Sequence, residues 1–254
     1  MDLSDHARVN KASWESEAAN YVAAAERNWA RDAFSWGMFD VPESEIGALP
    51  GVAGMDVVEL GCGTAYVSAW LARAGARPTG VDVTEAQLET ARRMQREHGL
   101  EFPLIQASAE DVPLPDASAD MVISEYGASL WCEPEAWISE AVRLLRPGGH
   151  LVFLTNSLLA TLTAPDEGPC ADRLVRPLRG LHVVSFADDE GIEFHLSHGE
   201  WIALLRRHGF TITGLHDVYA PAGAAPTQFD WMPVEWAQQW PVEEIWTAVL
   251  TAPA

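Results

Sequence analysis

Apolar residues in the first thirty positions recur at steps of three and four, which is the spacing of one face of a helix. The residues on this face are Trp14, Ala18, Tyr21, Val22, Ala25 and Trp29. Proline and glycine then cluster at Pro42, Gly47, Pro50 and Gly51, a composition typical of a loop. The pattern predicts an N-terminal helical segment within residues 1–50 that a loop separates from the rest of the chain.

From Met55 the pattern changes to short apolar runs that alternate with amphipathic stretches. The predicted strands are 56–60, 77–83, 102–107, 121–125 and 150–155. The predicted helices are 65–74, 84–98, which opens with a capping box of Thr84 and Gln87, and 134–145. Strand and helix in strict alternation favour a mostly parallel sheet with helices on both faces.

The last hundred residues are less regular. Residues 156–196 contain Pro165, Pro169 and Pro177, and Ser197 with Glu200 then forms a second capping box before a helix at 201–208. Two late strands are predicted at 211–219 and 244–250. We therefore expect one domain over 1–254, with a helical lid (1–50), a core (51–155), a substrate-side segment (156–196) and a closing helix with strands (197–254).

Charge and composition narrow the classes of function. The 254 residues include 37 acidic and 16 basic ones, a net charge of -21, which disfavours nucleic acid as a partner. No apolar run approaches the roughly 18 residues of a membrane span. Residues 1–10 lack the apolar core of a signal peptide, and the three cysteines are odd in number and far apart. We expect a reduced, cytoplasmic protein without a membrane segment.

The first strand runs directly into the turn Gly61-Cys62-Gly63, and an acid, Asp82, ends the second strand. Glycines in such a turn let a ligand approach the backbone closely. A carboxylate at the end of the next strand can accept hydrogen bonds from both ribose hydroxyls. Together these features predict a site for an adenosine-containing ligand, a signature that NAD enzymes share.

The turn itself separates the alternatives. A dinucleotide fingerprint has a third glycine where this chain has Tyr66. Glu59, two residues before the first glycine, would lie poorly beside a pyrophosphate but suits a ligand with an ammonium group. In the other interpretation, Glu59 only orders its own loop. The turn therefore favours a ligand other than NAD.

At this point the chain resembles the class I S-adenosylmethionine (SAM)-dependent methyltransferases, in a group that acts on small molecules. The resemblance covers roughly residues 50–155, with the late strands resembling the family's closing antiparallel pair. It rests on the segments Val58-Glu59-Leu60-Gly61-Cys62-Gly63-Thr64, Val81-Asp82-Val83, Ala107-Ser108-Ala109-Glu110-Asp111-Val112-Pro113 and Leu144-Leu145-Arg146-Pro147-Gly148-Gly149. It implies an α/β, Rossmann-like fold with a seven-stranded, mostly parallel sheet whose last strand is antiparallel, under an N-terminal helical lid.

The resemblance also implies a cofactor site for SAM, with S-adenosylhomocysteine (SAH) as product. The turn would receive the methionine and ribose, Asp82 the ribose hydroxyls, and Val83 and Ala109 the adenine. The complete set of expected cofactor residues is Trp14, Tyr21, Glu59, Gly61, Cys62, Gly63, Asp82, Val83, Gln87, Ser108, Ala109, Glu110, Ser124 and Glu125. The chain departs from the family at Ala65, often a third glycine, which we expect to be tolerated, and at Ser108, often an aspartate, where adenine contact is in question.

The N-terminal helix would lie over the cofactor, with Trp14 or Tyr21 against the sulfonium, a contact worth roughly 0.5–2 kcal/mol. Plain core packing of the same face is the alternative. For the acceptor, Trp36, Tyr126, Trp131 and Phe186 are plausible lining residues, which favours an apolar or aromatic small molecule.

Methyl transfer from a sulfonium needs a general base only when the acceptor carries a proton. Tyr126, His195 and His198 are the candidates for a catalytic base, along with Glu125. The spacing His195-x-x-His198, flanked by Glu193 and Glu200, also permits a metal site, but Ser197 and Glu200 already serve the capping box, and we expect no metal. A surface or core role for these histidines is the alternative. The sequence thus predicts SAM-dependent methyl transfer, with a non-catalytic SAM- or SAH-binding protein and, less readily, an NAD-dependent oxidoreductase as alternatives.

Overall fold

A computed structural model describes residues 3–186 and 191–251. Residues 187–190, part of the expected substrate-side segment, and the termini 1–2 and 252–254 lie outside the described residues. The elements in chain order are α1 Asp5–Glu17, a 3-10 turn Ala18–Tyr21, α2 Val22–Trp29, β1 Ser35–Trp36, β2 Val41–Pro42, α3 Glu43–Ile46, β3 Asp56–Leu60, α4 Tyr66–Arg73, β4 Arg77–Asp82, α5 Glu85–His98, β5 Leu104–Gln106, β6 Ala119–Glu125, α6 Ala128–Trp131, α7 Pro134–Leu144, β7 Leu145–Asn156, α8 Leu158–Thr163, β8 Val183–Val184, β9 Glu193–Phe194, α9 His198–Arg207, β10 Phe210–Val218, α10 Val234–Ala237 and β11 Glu243–Leu250.

Seven strands form the central sheet in the order β5-β4-β3-β6-β7-β11-β10. The five strands from β5 to β7 are parallel, whereas β11 runs antiparallel to both β7 and β10. The expected Rossmann-like sheet with an antiparallel last strand is therefore confirmed. Its parallel strands end at one edge, where ligands bind in open α/β sheets.

Both faces of the sheet are covered because its central strands are apolar on both sides. In β6, Met121 and Ile123 pack into one cluster with Val67 of α4, while Val122 packs into the other with Trp137 of α7. Most of the abundant tryptophan is structural. The fully buried ones are Trp29, Trp36, Trp137, Trp201 and Trp246.

Local signals at two helix starts had different outcomes. The capping box at Ser197 and Glu200 is present at the start of α9, as predicted. The one predicted at Thr84 and Gln87 is wrong, because the Thr84 side chain makes no capping bond. Instead, the first turn of α5 donates backbone N–H groups at residues 85 and 86 to the carboxylate of Glu15 in α1. A carboxylate there also suits the positive end of the helix dipole.

The N-terminal segment is helical but not one helix. A 3-10 turn at Ala18–Tyr21 joins α1 to α2, and α2 packs against α4 and α5 through Ala25 and Trp29. The Trp29 indole donates to the carbonyl of Thr64 at 2.8 Å. This segment is thereby fixed beside the glycine turn. Within the described part of the chain, no helix combines the length and apolarity of a membrane span.

Candidate functional site

One large cavity opens where β3, β4 and β6 end, and its volume is about 1610 Å³. Gly61, Asp82 and Glu125, which stand at the ends of those three strands, all line it. Cavities for a single drug-sized ligand measure about 300–1,000 Å³. The space therefore suffices for a cofactor and a second molecule together.

The glycine turn is braced by the acid that ends β4. Gly63 donates its backbone N–H to Asp82 Oδ2 at 2.7 Å, and Thr84 donates its own to Oδ1 at 2.8 Å. Burial raises the pKa of Asp82. Each carboxylate oxygen has further lone pairs, so Asp82 can accept bonds from a ligand as well.

Two glycines of this region meet backbone to backbone. A Cβ on Gly61 would lie 2.5 Å from the Cα of Gly127, and one on Gly127 would lie 2.4 Å from the carbonyl oxygens of Leu60 and Gly61. At Gly63, by contrast, a Cβ would meet nothing within 4 Å. Gly61 is therefore required by packing, whereas Gly63 leaves open space at the cavity wall.

Ala65 precedes α4 in the left-handed conformation, with φ of 57°. This backbone explains why a glycine suits the position, since the left-handed conformation costs L-residues roughly 1–2 kcal/mol. Its methyl group is fully buried against α2 and α5 residues. The alanine is accommodated with this strain, as expected.

Glu59 is buried, and its Oε2 accepts the backbone N–H of Ser68 at 2.9 Å and the Ser68 hydroxyl. Burial, together with the nearby carboxylates Glu125 and Asp82, raises the pKa of Glu59 to about 8. The side chain thus orders the start of α4, the alternative left open above. It also lines the cavity, and its Oε1 has no hydrogen-bond partner among the described residues.

Two buried carboxylate–tyrosine pairs support the hairpin of β1 and β2. Glu125 accepts bonds from the Tyr66 hydroxyl and, at 3.1 Å, from the Gly37 backbone. Glu243 accepts bonds from the Tyr126 hydroxyl and from the residue 38 backbone at 2.7 Å. Burial raises the pKa of Glu243 to about 7 and holds the pKa of Tyr126 well above its usual range. Tyr126 therefore acts as a hydrogen-bond donor to Glu243, not as a ready base.

Aromatic residues of α1, of the 3-10 turn after it and of α6 face the cavity. Trp14 contacts Tyr21 with ring centroids 5.1 Å apart, and Trp131 edge-on at 5.2 Å. All three rings line the cavity. The helix that the sequence predicts as a lid therefore contributes aromatic surface to the wall.

Most residues singled out by the sequence come together here. Those that line the cavity are Trp14, Tyr21, Glu59, Gly61, Cys62, Gly63, Asp82, Val83, Gln87, Ser108, Ala109, Glu125, Tyr126, Trp131, Phe186 and His195. The structure does not bring Trp36, Glu110, Ser124 and His198 to the lining.

Two of these four are buried behind the wall. Trp36 is fully buried, and its indole donates to Glu43. Ser124 is also fully buried and donates its hydroxyl to the carbonyl of Leu60 at 2.9 Å. Both side chains thus hold the elements that carry the site.

The other two form ion-pair contacts elsewhere. Glu110 bonds His6 of α1 at 2.6 Å, and His198 bonds Glu244 at 2.8 Å, which raises the pKa of His198. His195 instead contacts Glu193 at 2.7 Å. The two histidines of the His-x-x-His spacing therefore turn to different partners.

Sequence reasoning missed several residues of the wall. Asn10, Met38 and Trp231 line the cavity from three separate segments, and local sequence gives no sign that they meet. Glu193, which the sequence suggested only as a neighbour of a metal site, also lines it. Its signal was available, because Glu193 and His195 are two residues apart at a strand, where such positions share one face.

Comparison with known proteins agrees with this geometry. A methyltransferase domain model matches residues 58–153. Phosphatidylethanolamine N-methyltransferase of Cereibacter sphaeroides is 32% identical over 153 residues, which are 59% of this chain and 72% of that protein. Fatty-acid O-methyltransferase of Mycolicibacterium smegmatis is 35% identical over 104 residues, 40% of this chain and 37% of that protein. The chain spans between 37% and 44% of three curated relatives.

The fold also matches a solved structure. That protein is 1,6-didemethyltoxoflavin-N1-methyltransferase of Burkholderia thailandensis, bound to 1,6-didemethyltoxoflavin and SAH. The TM-score is 0.61 at 15% identity, over 99% of this chain and 93% of the other. The sheet order, the glycine turn and the sequence relatives agree, and the chain belongs to the class I SAM-dependent methyltransferase family.

Proposed function

We propose that this protein transfers the methyl group of SAM to a small-molecule acceptor inside the 1610 Å³ cavity. The observation that carries the proposal is the meeting of the glycine turn with Asp82 in the wall of a cavity larger than one ligand needs. Family membership supports SAM as the ligand of this turn.

The residues present fit SAM. Open space lies beside Gly63, and Gln87 presents a buried Oε1 with no hydrogen-bond partner among the described residues. Asp82 would accept the ribose hydroxyls, and Glu59 Oε1 would face the ammonium group. Ser108 and Ala109 would border the adenine, although the Ser108 hydroxyl already accepts the N–H of residue 110 at 3.2 Å.

When bound, SAM supplies an activated methyl group on a sulfonium. The chain's own contribution is then to align the acceptor and exclude water. Alignment alone contributes about 7–11 kcal/mol in well-oriented systems. Trp14 and Tyr21 are the aromatic groups suited to a sulfonium.

We propose an apolar or aromatic acceptor. Trp131, Phe186 and Tyr126 line the cavity, and Trp231 adds a fourth ring. Several relatives are named for acceptors with large apolar parts, among them a fatty acid and demethylmenaquinone. Trp131→Ala is then expected to raise the KM for the acceptor while leaving SAM affinity unchanged.

Calorimetric titration with SAM, SAH and NAD tests the cofactor. We expect binding of SAM and SAH, no binding of NAD, and a loss of about tenfold to a hundredfold in Asp82→Asn, since bonds to a charged acceptor are worth about 1.5–3 kcal/mol. Incubation with methyl-labelled SAM and a metabolite pool tests the activity. Binding without transferred label would favour a non-catalytic SAM-binding protein, and NAD binding would favour an oxidoreductase.

A further inference from the structure

A glutamate and a histidine form a buried pair in the cavity wall. Glu193 lies in β9 and His195 comes two residues later, and both line the cavity. They are 9% and 5% exposed, and His195 Nε2 lies 2.7 Å from Glu193 Oε2. Such a pair is costly to bury unless it is hydrogen-bonded, and here it is.

Both nitrogens of the His195 ring are occupied. Nδ1 lies 3.1 Å from the Thr161 hydroxyl, which also donates to the carbonyl of Ser157 at 3.0 Å. Nε2 faces Glu193. Each nitrogen already has a hydrogen-bond partner in the cavity wall, so neither is free to take a proton from an acceptor, which argues against the predicted role of His195 as the base.

Glu193 has one carboxylate oxygen that the pair with His195 does not use. Its Oε2 is used by His195, while its Oε1 has no hydrogen-bond partner in residues 3–186 and 191–251 and is not among the fully enclosed polar atoms. Because the side chain lines the cavity, Oε1 is the atom that an acceptor can meet.

The backbone beside Glu193 is held firmly. Asn10 of α1 accepts the N–H of Ile192 at 2.7 Å and donates its amide to the carbonyl of Ile192 at 3.0 Å and to that of Trp131 at 2.8 Å. His195 donates its backbone N–H to His182 at 2.8 Å. Glu193 therefore stands where α1, the Trp131 segment and β9 are joined.

We propose that Glu193 is the general base for a hydroxyl or phenol acceptor and that His195 is the residue that positions it. This inference rests on the proposed function. The acceptor oxygen bonds to the methyl carbon while the carbon–sulfur electron pair returns to sulfur, which leaves neutral SAH. The acceptor O–H bond breaks, and its proton passes to Glu193 Oε1. His195 keeps the carboxylate oriented through Oε2.

The test compares two phenols of similar size at about pH 8, where 4-ethylphenol is neutral and 4-nitrophenol is largely ionised. A general base contributes about 10²–10⁴-fold to such a step. Glu193→Gln is expected to lower kcat for 4-ethylphenol at least about a hundredfold and to change transfer to 4-nitrophenol little. His195→Gln is expected to lower kcat for 4-ethylphenol about tenfold without raising KM. Glu167→Gln, an exposed carboxylate of the same segment outside the lining, serves as the matched control and should behave as wild type.

Titration with SAH accompanies each variant to establish that the fold and cofactor site persist. An equal loss with both phenols, or no loss with either, would overturn the role of Glu193. Wild-type protein that binds SAH but methylates neither phenol would overturn the hydroxyl acceptor while the proposed function stands. Wild-type protein that does not bind SAH would instead overturn the proposed function.

Discussion

Alanine at Gly61 is expected to destabilise the fold, whereas alanine at Gly63 is expected to weaken cofactor binding. Gly61 has φ of 75°, and its new Cβ would lie 2.5 Å from the backbone of Gly127. The left-handed conformation costs roughly 1–2 kcal/mol and overpacking against backbone about 1–3 kcal/mol. Alanine also restricts the unfolded chain more than glycine does, which offsets about 0.4–1 kcal/mol of this cost. The net loss is about 2–4 kcal/mol, a large part of the 5–15 kcal/mol typical of a domain.

Gly63 provides the matched comparison. Its φ is 50°, but its Cβ would meet nothing within 4 Å. Strain and unfolded-chain entropy then nearly cancel, and the loss of stability is about 1 kcal/mol or less. The methyl group would instead narrow the cavity where the cofactor approaches the turn, so we expect SAH affinity to fall at least about tenfold.

Thermal unfolding and calorimetric titration with SAH measure the two effects. One kcal/mol corresponds to about 2–4 °C in Tm for a domain of this size, so Gly61→Ala should lower Tm by about 5–15 °C and Gly63→Ala by less than about 4 °C. Equal destabilisation by both changes would refute the packing argument at Gly61. Unchanged SAH affinity in Gly63→Ala would refute the placement of the cofactor.

Three further changes test the buried groups. Glu243→Gln tests the carboxyl group whose pKa is raised by burial from 4.5 to about 7. Because the folded chain holds this proton more tightly than the unfolded chain, the protonated carboxyl stabilises the fold fully below pH 4.5, and that contribution is lost as the pH rises to about 7. Urea unfolding should show wild type losing about 3 kcal/mol relative to the variant across that window, and parallel curves would contradict this. Ala65→Gly relieves backbone strain of roughly 1–2 kcal/mol, but it removes a buried methyl group worth about 0.8 kcal/mol and gives the unfolded chain extra freedom worth about 0.4–1 kcal/mol. These contributions nearly cancel, so the free energy of unfolding measured in urea should change by less than about 1 kcal/mol. A loss above about 2 kcal/mol would count against this reasoning. Glu59, with a pKa of about 8, should release a proton when the ammonium group of SAM binds at pH 7. Calorimetric titrations in buffers of different ionisation enthalpy detect this proton release. The release should vanish in Glu59→Gln, and its persistence would point to another titrating group.

The sequence predicted those parts of the fold that depend on near neighbours. The capping box of Ser197 and Glu200 formed because both partners lie within one turn. The box at Thr84 did not form: the Thr84 side chain bonds Asp82 instead, and Glu15, some seventy residues earlier in the chain, accepts the N–H groups of residues 85 and 86. A local pattern cannot show that a distant side chain competes for its hydrogen bonds.

The candidate site likewise contains parts that near neighbours in the sequence predict and parts that depend on distant residues. The glycine turn and Asp82 were predictable because a parallel sheet brings the ends of its strands to one edge. The bond between Tyr126 and Glu243 joins residues 117 positions apart, and its existence depends on β11 lying beside β7. Trp36 shows the opposite difficulty, since an aromatic residue looks alike in sequence whether it faces a ligand or the core.

The backbone contact between Gly61 and Gly127 has a consequence for the exchange of loops among related enzymes. The glycine turn, where we propose that the cofactor binds, and the loop after β6 share one steric surface, with no side chain between them to absorb a change. A loop grafted after β6 must therefore carry glycine at the position of Gly127, whatever acceptor it is designed to admit. Selectivity can be redesigned downstream of that residue, while the residue itself has to fit against the glycine turn.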